Sequence, residues 1–171
     1  MAAEQEKPHG REAMRAKLDG QLGAEFIRER PGPGGQKLQY VSEADVIRIM
    51  NDVFGFDGYS TAVLDVPSPW PVNEISDGKW EVMAMARVRI TVYVDGRQVS
   101  REAAGEGMMS GTRDRLMAMG KTMKEAETDA LKRAFRQFGE LLNCVYDEEY
   151  LVKLSCDDEV GRYAHQSNLG R

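Results

Sequence analysis

A row of basic side chains in the C-terminal half of the chain has the spacing to hold a phosphate backbone. The row comprises Lys124, Thr128, Lys132 and Arg136, with Arg133 at its edge. Read as a helix, it extends over about 18 Å, the scale of a few nucleotide spacings. Phosphate contacts of this kind leave the bases free and carry no sequence information. The same cations also suit the negative end of the helix dipole and pair with carboxylates such as Asp129. The residues alone therefore leave two interpretations open, phosphate binding and a solvated helix face.

No catalytic or metal-binding pattern accompanies this row. Gly120-Lys121-Thr122 matches the end of a P-loop, but that motif needs a glycine where Arg115 stands. The two cysteines, Cys144 and Cys156, form no metal or redox motif, and the only histidines are His9 and His165. We therefore expect no catalytic residues, no metal and no cofactor, and the chain is predicted not to be an enzyme.

The length and composition are typical of one soluble globular domain with short tails. The 171 residues are 42% hydrophobic and 30% charged, with a net charge of −5. A polyanionic partner would therefore have to meet a local basic patch on an acidic protein. No apolar stretch is long enough to span a membrane and no secretory signal is visible. We expect disorder over residues 1–12 and 155–171, and one domain over 13–154.

The basic row needs a helix, and the helix needs a sheet to pack on. Apolar residues at helical spacing predict a helix over Lys121–Phe138, ended by Gly139. Residues 79–94 alternate with period two and predict a strand, and Asp95-Gly96 predicts a hairpin to a strand that ends near Ala104. A further strand is predicted over Ser60–Val66, followed by a proline-rich loop. The glycines between 105 and 111 indicate a flexible connection.

Two helices and a turn are predicted ahead of the sheet. The first extends from Arg11 to Ile27, where Gly20 and Gly23 could split it. Residues 28–40, rich in proline and glycine, indicate a rigid turn or a backbone shaped for close approach to a ligand, and then a short strand at Lys37–Val41. Ser42 begins the second helix, which Gly55 ends. The predicted fold class is α+β: a three-stranded antiparallel sheet on a long helix (a β-β-β-α core), with an N-terminal helix and a short hairpin.

Several blocks of the sequence together resemble the Rad fifty-two family of single-strand annealing and recombination proteins. They are RPGPGGQKLQY, VIRIMNDVFGFDGYST, the GEG before the long helix, and KEAETDALKRAFRQFGELLNCVYDEEYL, within residues 18–153. The resemblance implies a domain that assembles into a homo-oligomeric ring and holds single-stranded DNA in a groove without nucleotide hydrolysis. It implies annealing of complementary strands in homologous recombination and double-strand break repair, in the nucleus, although an organelle or a phage-infected cell stays open.

The resemblance also implies site residues by position. Lys132 and Arg133 match the principal basic pair of the inner groove, and Lys124 and Arg136 match supporting basic residues. The remaining inner-groove matches are Arg30 and Tyr40 beside the glycine-rich turn, and Met108, which matches a backbone amide near a phosphate. Lys79 and Arg113 match a second, outer DNA surface.

The chain departs from the family pattern at several positions. Glu106 replaces the tyrosine of the family's GYG loop, and GELLNC is one residue shorter than the usual block and carries Glu140. Glu148 and Val152 also occupy positions where the family commonly has basic residues, with Lys153 adjacent to the second, which puts the outer surface in question. Longer members bind the recombinase and replication protein A through a C-terminal half. The sequence does not decide whether this chain binds the recombinase or replication protein A, and mediator activity is not predicted. The alternative function is a protein-interaction module whose basic helix docks an acidic partner.

Overall fold

The computed structural model describes residues 10–31, 35 and 37–143. Residues 1–9 of the predicted tail at 1–12, the predicted tail at 155–171, and the end of the predicted domain after residue 143 lie outside these residues. Residues 11 and 12, predicted to be disordered, belong to the first helix. The elements in chain order are α1 (Arg11–Leu18), a 3-10 helix (Ala24–Phe26), β1 (Ile27–Pro31), β2 (Lys37–Val41), α2 (Glu43–Phe54), β3 (Tyr59–Ser76), β4 (Lys79–Val94), β5 (Arg97–Thr112), α3 (Arg115–Phe135), a 3-10 turn (Arg136–Phe138) and α4 (Glu140–Asn143).

A three-stranded antiparallel sheet in the order β3-β4-β5 packs on α3, which confirms the predicted α+β fold class. The predicted strand over residues 79–94 is β4, and alternate residues from Val82 to Val92 are buried on its helix-facing side. The hairpin to β5 turns at Asp95 and Gly96, whose φ angles are 48° and 73°. Positive φ at both central residues is what a tight hairpin turn requires, so the dipeptide signal is confirmed. A second, two-stranded sheet pairs β1 with β2.

Strand β3 is much longer than predicted. It continues from Tyr59 to Ser76, so the strand end near Val66 and the proline loop after it are wrong. Within the described residues β3 pairs only with β4, which makes it an edge strand. A proline is tolerated on an edge because its missing N–H can face away from the ladder. Pro69 and Pro71 lie in this part of β3, where pairing is also interrupted by shifts of register.

Strand β5 is also longer than predicted, and the flexible connection expected at its glycines is wrong. It continues through Gly105 and Gly107 to Thr112, in register with β4 along most of its length. These glycines mark close packing against α3. A Cβ on Gly105 would overlap the backbone N of Ala130 and lie 2.6 Å from the carbonyl O of Ala126. Glycine is therefore needed here because another backbone lies directly against the strand.

Helix α3 is shifted toward the N-terminus relative to the prediction. Asp114 caps it, accepting a hydrogen bond from the N–H of Met117 at 2.9 Å, so the helix begins six residues before Lys121. It ends at Phe135, and Arg136 lies in the following 3-10 turn rather than in the helix. Such tightening of a last turn is a common way to satisfy terminal carbonyl groups.

The N-terminal elements complete the apolar core. The predicted first helix is divided at its glycines: α1 ends at Leu18, and β1 begins at Ile27. Helix α2 is confirmed, with Ser42 as its N-cap and Gly55 at its C-terminus. Its Phe54 contacts Phe135 and Phe138 edge to face, with ring centroids 5.8 Å and 5.5 Å apart. The apolar core thus lies between α2, α3 and the inner face of the sheet.

Candidate nucleic-acid interface

A cleft of about 530 Å³ separates α3 from the β1–β2 hairpin and the N-terminus of α2. Its lining residues come from four parts of the chain that are far apart in sequence. They are Arg30, Gln39, Tyr40, Val41, Ser42, Glu43, Glu106, Lys121, Lys124, Glu125, Thr128, Asp129 and Lys132. Four of the seven predicted inner-groove residues are among them: Arg30, Tyr40, Lys124 and Lys132.

Helix α3 presents its polar row to the cleft because its opposite side is made of small residues packed on the sheet. Ala118, Thr122, Ala126, Ala130 and Ala134 are all fully buried there. This stripe repeats every four residues, the spacing at which residues lie above one another on a helix. Lys124, Thr128 and Lys132 repeat at the same interval on the cleft side. The close backbone packing at Gly105 and Gly107 therefore also determines how the basic row is oriented.

The β1–β2 hairpin supplies Arg30 and Tyr40. Arg28 pairs with Tyr40 and Arg30 with Leu38, so Arg30 and Tyr40 are diagonal neighbours on one face of the ribbon. The Arg30 guanidinium lies over the Tyr40 ring, 5.5 Å from its centroid. This cation–π contact holds a cation and an aromatic face together at the mouth of the cleft.

An ion pair anchors the hairpin to α2. Arg28 donates to both carboxylate oxygens of Asp45, at 2.9 Å and 3.0 Å, and Asp45 is only 3% exposed. The hydroxyl of Ser42 donates to the same carboxylate at 2.6 Å. These hydrogen bonds, that from Arg28 first, lower the pKa of Asp45 to about 2. The charge that Arg28 meets is therefore present at all ordinary pH values.

Lys132 joins α3 to the end of β2. Its Nζ donates to the carbonyl O of Val41 at 2.7 Å, and the side chain is partly buried. Burial lowers the pKa of the Lys132 ammonium, an effect that the nearby carboxylates of Asp129 and Glu43 oppose. An ammonium carries three donors. One donor bridges the two elements, and the other two remain for groups in the cleft.

Arg133 is held next to the cleft without lining it. Its Nε donates to Oδ2 of Asp129 at 2.7 Å, and the same oxygen accepts from the backbone N–H of Glu106 at 3.1 Å. Asp129 thereby connects α3 to the outer edge of β5. Because N–H groups of an antiparallel edge strand alternate in direction, the N–H of Met108 points to the same edge as that of Glu106. The Met108 side chain is 62% exposed on the sheet face opposite α3.

The other predicted site residues are not brought into this cleft. Arg136 is exposed in the 3-10 turn that follows α3. Lys79 and Arg113 flank the paired residues Trp80 and Thr112, so they lie together at one end of the sheet. The guanidinium of Arg115 lies over the Trp80 ring at 4.9 Å, which adds a third cation to that end.

The cleft also contains residues that sequence reasoning missed. Lys121 lies three residues before Lys124, a spacing that could have added it to the row. The lining includes three carboxylates beside four cations: Glu43, Glu125 and Asp129 against Arg30, Lys121, Lys124 and Lys132. Glu106 meets the cleft through its N–H, which donates to Asp129, because its side chain lies on the sheet face opposite α3. The buried Oε1 of Gln39 has no hydrogen-bond donor within the described part of the chain. No local pattern indicated that Gln39, Glu43 or Glu106 would share a site with α3.

Metal-binding clusters and membrane-spanning helices are both missing from the described residues. No group of three or more His, Cys, Asp or Glu side chains there could hold a metal ion. Nor is any helix in those ranges both long enough and apolar enough to cross a membrane.

The chain is similar to proteins of known family. A sequence profile described as "Rad52/22 family double-strand break repair protein" matches residues 10–162. The DNA repair and recombination protein mus-11 of Neurospora crassa is 37% identical over 143 residues, which cover 83% of this chain and 23% of that protein. The DNA repair and recombination protein RAD52 of Saccharomyces cerevisiae is 37% identical over 144 residues, covering 84% of this chain and 30% of that protein.

A shorter relative gives the same result. The DNA repair and recombination protein rti1 of Schizosaccharomyces pombe is 38% identical over 135 residues, covering 78% of this chain and 35% of that protein. The chain therefore spans about a quarter to a third of the length of these relatives. With a profile that matches nearly the whole sequence and relatives well above 30% identity, the chain belongs to the Rad52/22 family of double-strand break repair proteins.

Proposed function

We propose that this chain binds single-stranded DNA through its phosphate backbone in the cleft between α3 and the β1–β2 hairpin, and anneals complementary strands without nucleotide hydrolysis. The observation that carries the proposal is the convergence of Arg30, Tyr40, Lys124 and Lys132 on one cleft. Cations that follow a groove and an aromatic ring at its mouth are the usual components of a single-strand site. The names of the relatives support a role in DNA repair and recombination. Because these relatives come from eukaryotes, we propose that the protein acts in the nucleus.

The chemistry of the cleft suits backbone binding rather than base reading. Lys121 and Lys124 form no hydrogen bond or ion pair within the described residues, so their ammonium groups are available to phosphates. Lys132 contributes two further donors and Arg30 a guanidinium. We propose the N–H of Met108, at the outer edge of β5, as an additional donor. A strand held in this way keeps its bases free to pair with a second strand.

Self-association into a ring is part of the proposal. A net charge of −5 opposes binding of a polyanion by one subunit. Repetition of a modest cleft around an assembly converts weak single contacts into strong avidity. Large apolar side chains are available for contacts between subunits, since Trp70 is 81% and Leu116 79% exposed. We propose the end of the sheet with Lys79 and Arg113 as a secondary DNA surface.

An annealing assay without ATP tests the proposal. Complementary oligonucleotides should anneal faster with the wild-type protein than without it. Lys132→Ala combined with Arg133→Ala should weaken single-strand binding by about tenfold or more and flatten its salt dependence, because one cation that lines the cleft and one beside it are removed. Fluorescence anisotropy on oligo-dT measures both quantities. Unchanged binding by this folded double variant would contradict the assignment of the cleft.

Lys132 also contacts the backbone of Val41, so its substitution could weaken binding by disturbing the packing. A second variant separates the loss of DNA contacts from this effect. Lys121→Ala with Lys124→Ala removes two charges that have no structural partner in the described residues and should weaken binding by a similar factor. The matched control is Arg11→Ala with Arg97→Ala, which removes two exposed cations outside the cleft. Equal losses in the control and the cleft variants would show a general charge effect and overturn the site.

The alternative is a protein-interaction module whose basic helix row docks an acidic partner. It uses the same cations, so mutation alone does not separate the two functions. Size-exclusion chromatography with and without oligo-dT does. A monomer that does not bind single strands at low salt would favour the alternative. A large assembly that elutes together with the oligonucleotide would exclude it.

A further inference from the structure

The carboxylates of the cleft fall into two groups that differ in their contacts. Asp129 accepts hydrogen bonds from Arg133 and from the N–H of Glu106, and Glu43 accepts one from the hydroxyl of Thr128 at 3.0 Å. These two therefore have structural partners. Glu106 pairs with Met85 on the sheet face opposite α3, so its side chain leaves β5 on that face. Glu125 lies on α3, is exposed, and forms no hydrogen bond or ion pair within the described residues. One negative charge in the cleft is thus left uncompensated.

Its position makes Glu125 a competitor of the phosphate backbone. Glu125 lies on α3 and lines the same cleft as Lys121 and Lys124. A strand that follows these lysines brings its phosphates close to this carboxylate. A unit charge several ångströms from another in water changes the interaction by roughly three- to fivefold. The carboxylate therefore subtracts a measurable part of the attraction that the lysines provide.

We propose that Glu125 limits the affinity of the cleft for single-stranded DNA and so speeds the release of a bound strand. The inference rests on the proposed function of the cleft and identifies a residue that sets the strength of binding there. Affinity differences within one interface lie mostly in the dissociation rate. A protein that anneals strands must release the product, and Glu125 keeps a multivalent assembly from holding it too long.

A charge-neutral substitution of the same shape tests the proposal. Glu125→Gln should raise affinity for oligo-dT by roughly threefold, mainly through slower dissociation. The control Glu12→Gln changes the net charge equally on an exposed residue of α1, outside the cleft, and should leave affinity unchanged. Stopped-flow displacement by excess competitor gives the dissociation rates, and a thermal melt verifies that each variant is folded.

The outcomes separate this inference from the function on which it rests. Tighter binding and slower release in Glu125→Gln, with no change in Glu12→Gln, support it. Wild-type binding that Glu125→Gln does not strengthen overturns this inference and leaves the proposed function intact. An equal gain in Glu12→Gln reduces the effect to net charge and overturns it as well. Absence of single-strand binding by both the wild type and Glu125→Gln overturns both proposals.

Discussion

At the scale of single residues, Asp45 determines where the β1–β2 hairpin lies although it is not among the residues that line the cleft. It holds Arg28 of β1 and is held by Ser42 at the start of α2. Arg30 and Tyr40 belong to the same ribbon, so their place at the cleft depends on this anchor. A buried carboxylate with several donors is costly to remove because its partners lose their compensating charge.

Asp45→Asn should lower the free energy of unfolding at neutral pH by about 1 to 2 kcal/mol, since charge-assisted hydrogen bonds are lost. The pKa of Asp45 is about 2 in the folded protein against an ordinary 3.8, so its contribution is complete above about pH 4. It is lost as the pH falls toward 2. Urea denaturation at a series of pH values should therefore show wild type and variant converging at acidic pH. A stability difference that does not depend on pH would contradict the assignment.

At the scale of elements, the contact between α3 and β5 orients the whole basic row. A helix can approach a sheet this closely only when both surfaces are small, here alanines on α3 and glycines on β5. Larger residues at this contact would move the helix away from the strand and with it every cation on its outer face.

Gly105→Ala should destabilise the protein by about 3 kcal/mol or more, because its Cβ would overlap the backbone of Ala130. Gly120→Ala is the matched control, since Gly120 lies within α3 and an added methyl group there meets only open space. Alanine at this position should stabilise the protein by about 0.5 to 1 kcal/mol through helix propensity. Thermal and urea unfolding measure both. Equal effects of the two substitutions would contradict close packing at Gly105.

At the scale of the whole molecule, the proposed ring predicts a salt dependence that one subunit cannot supply. Binding to single strands has a log–log salt slope of about 0.7 per neutralised phosphate, so four cleft cations give at most about 3. Long oligo-dT bound to an assembly should give a steeper salt slope than this. A short oligonucleotide should give a slope of about 3 or less. Mass photometry should find multiples of 19.2 kDa. A monomer whose salt slope does not change with oligonucleotide length would contradict the ring.

Local patterns predicted most of the elements and part of the site. The alternation of β4, the Asp95-Gly96 turn and the Ser42 cap depend on neighbours in sequence, and all three are present in the structure. The same reasoning was wrong about the prolines of β3 and the glycines of β5, because it took them as signs of loops. In β3 the prolines lie on an edge strand, and in β5 the glycines lie against a helix. Neither circumstance is visible in a local window.

The sequence by itself determined the secondary elements with strong periodicity, the apolar face of the sheet, the basic row of α3 and the resemblance to one family. Only the tertiary structure decided which groups share the cleft. It brings Arg30 and Tyr40 to Lys124 and Lys132, adds Lys121, and places carboxylates among them. The physical reason is that periodicity reports which face of an element is buried, whereas proximity between distant segments follows from how closely their backbones pack.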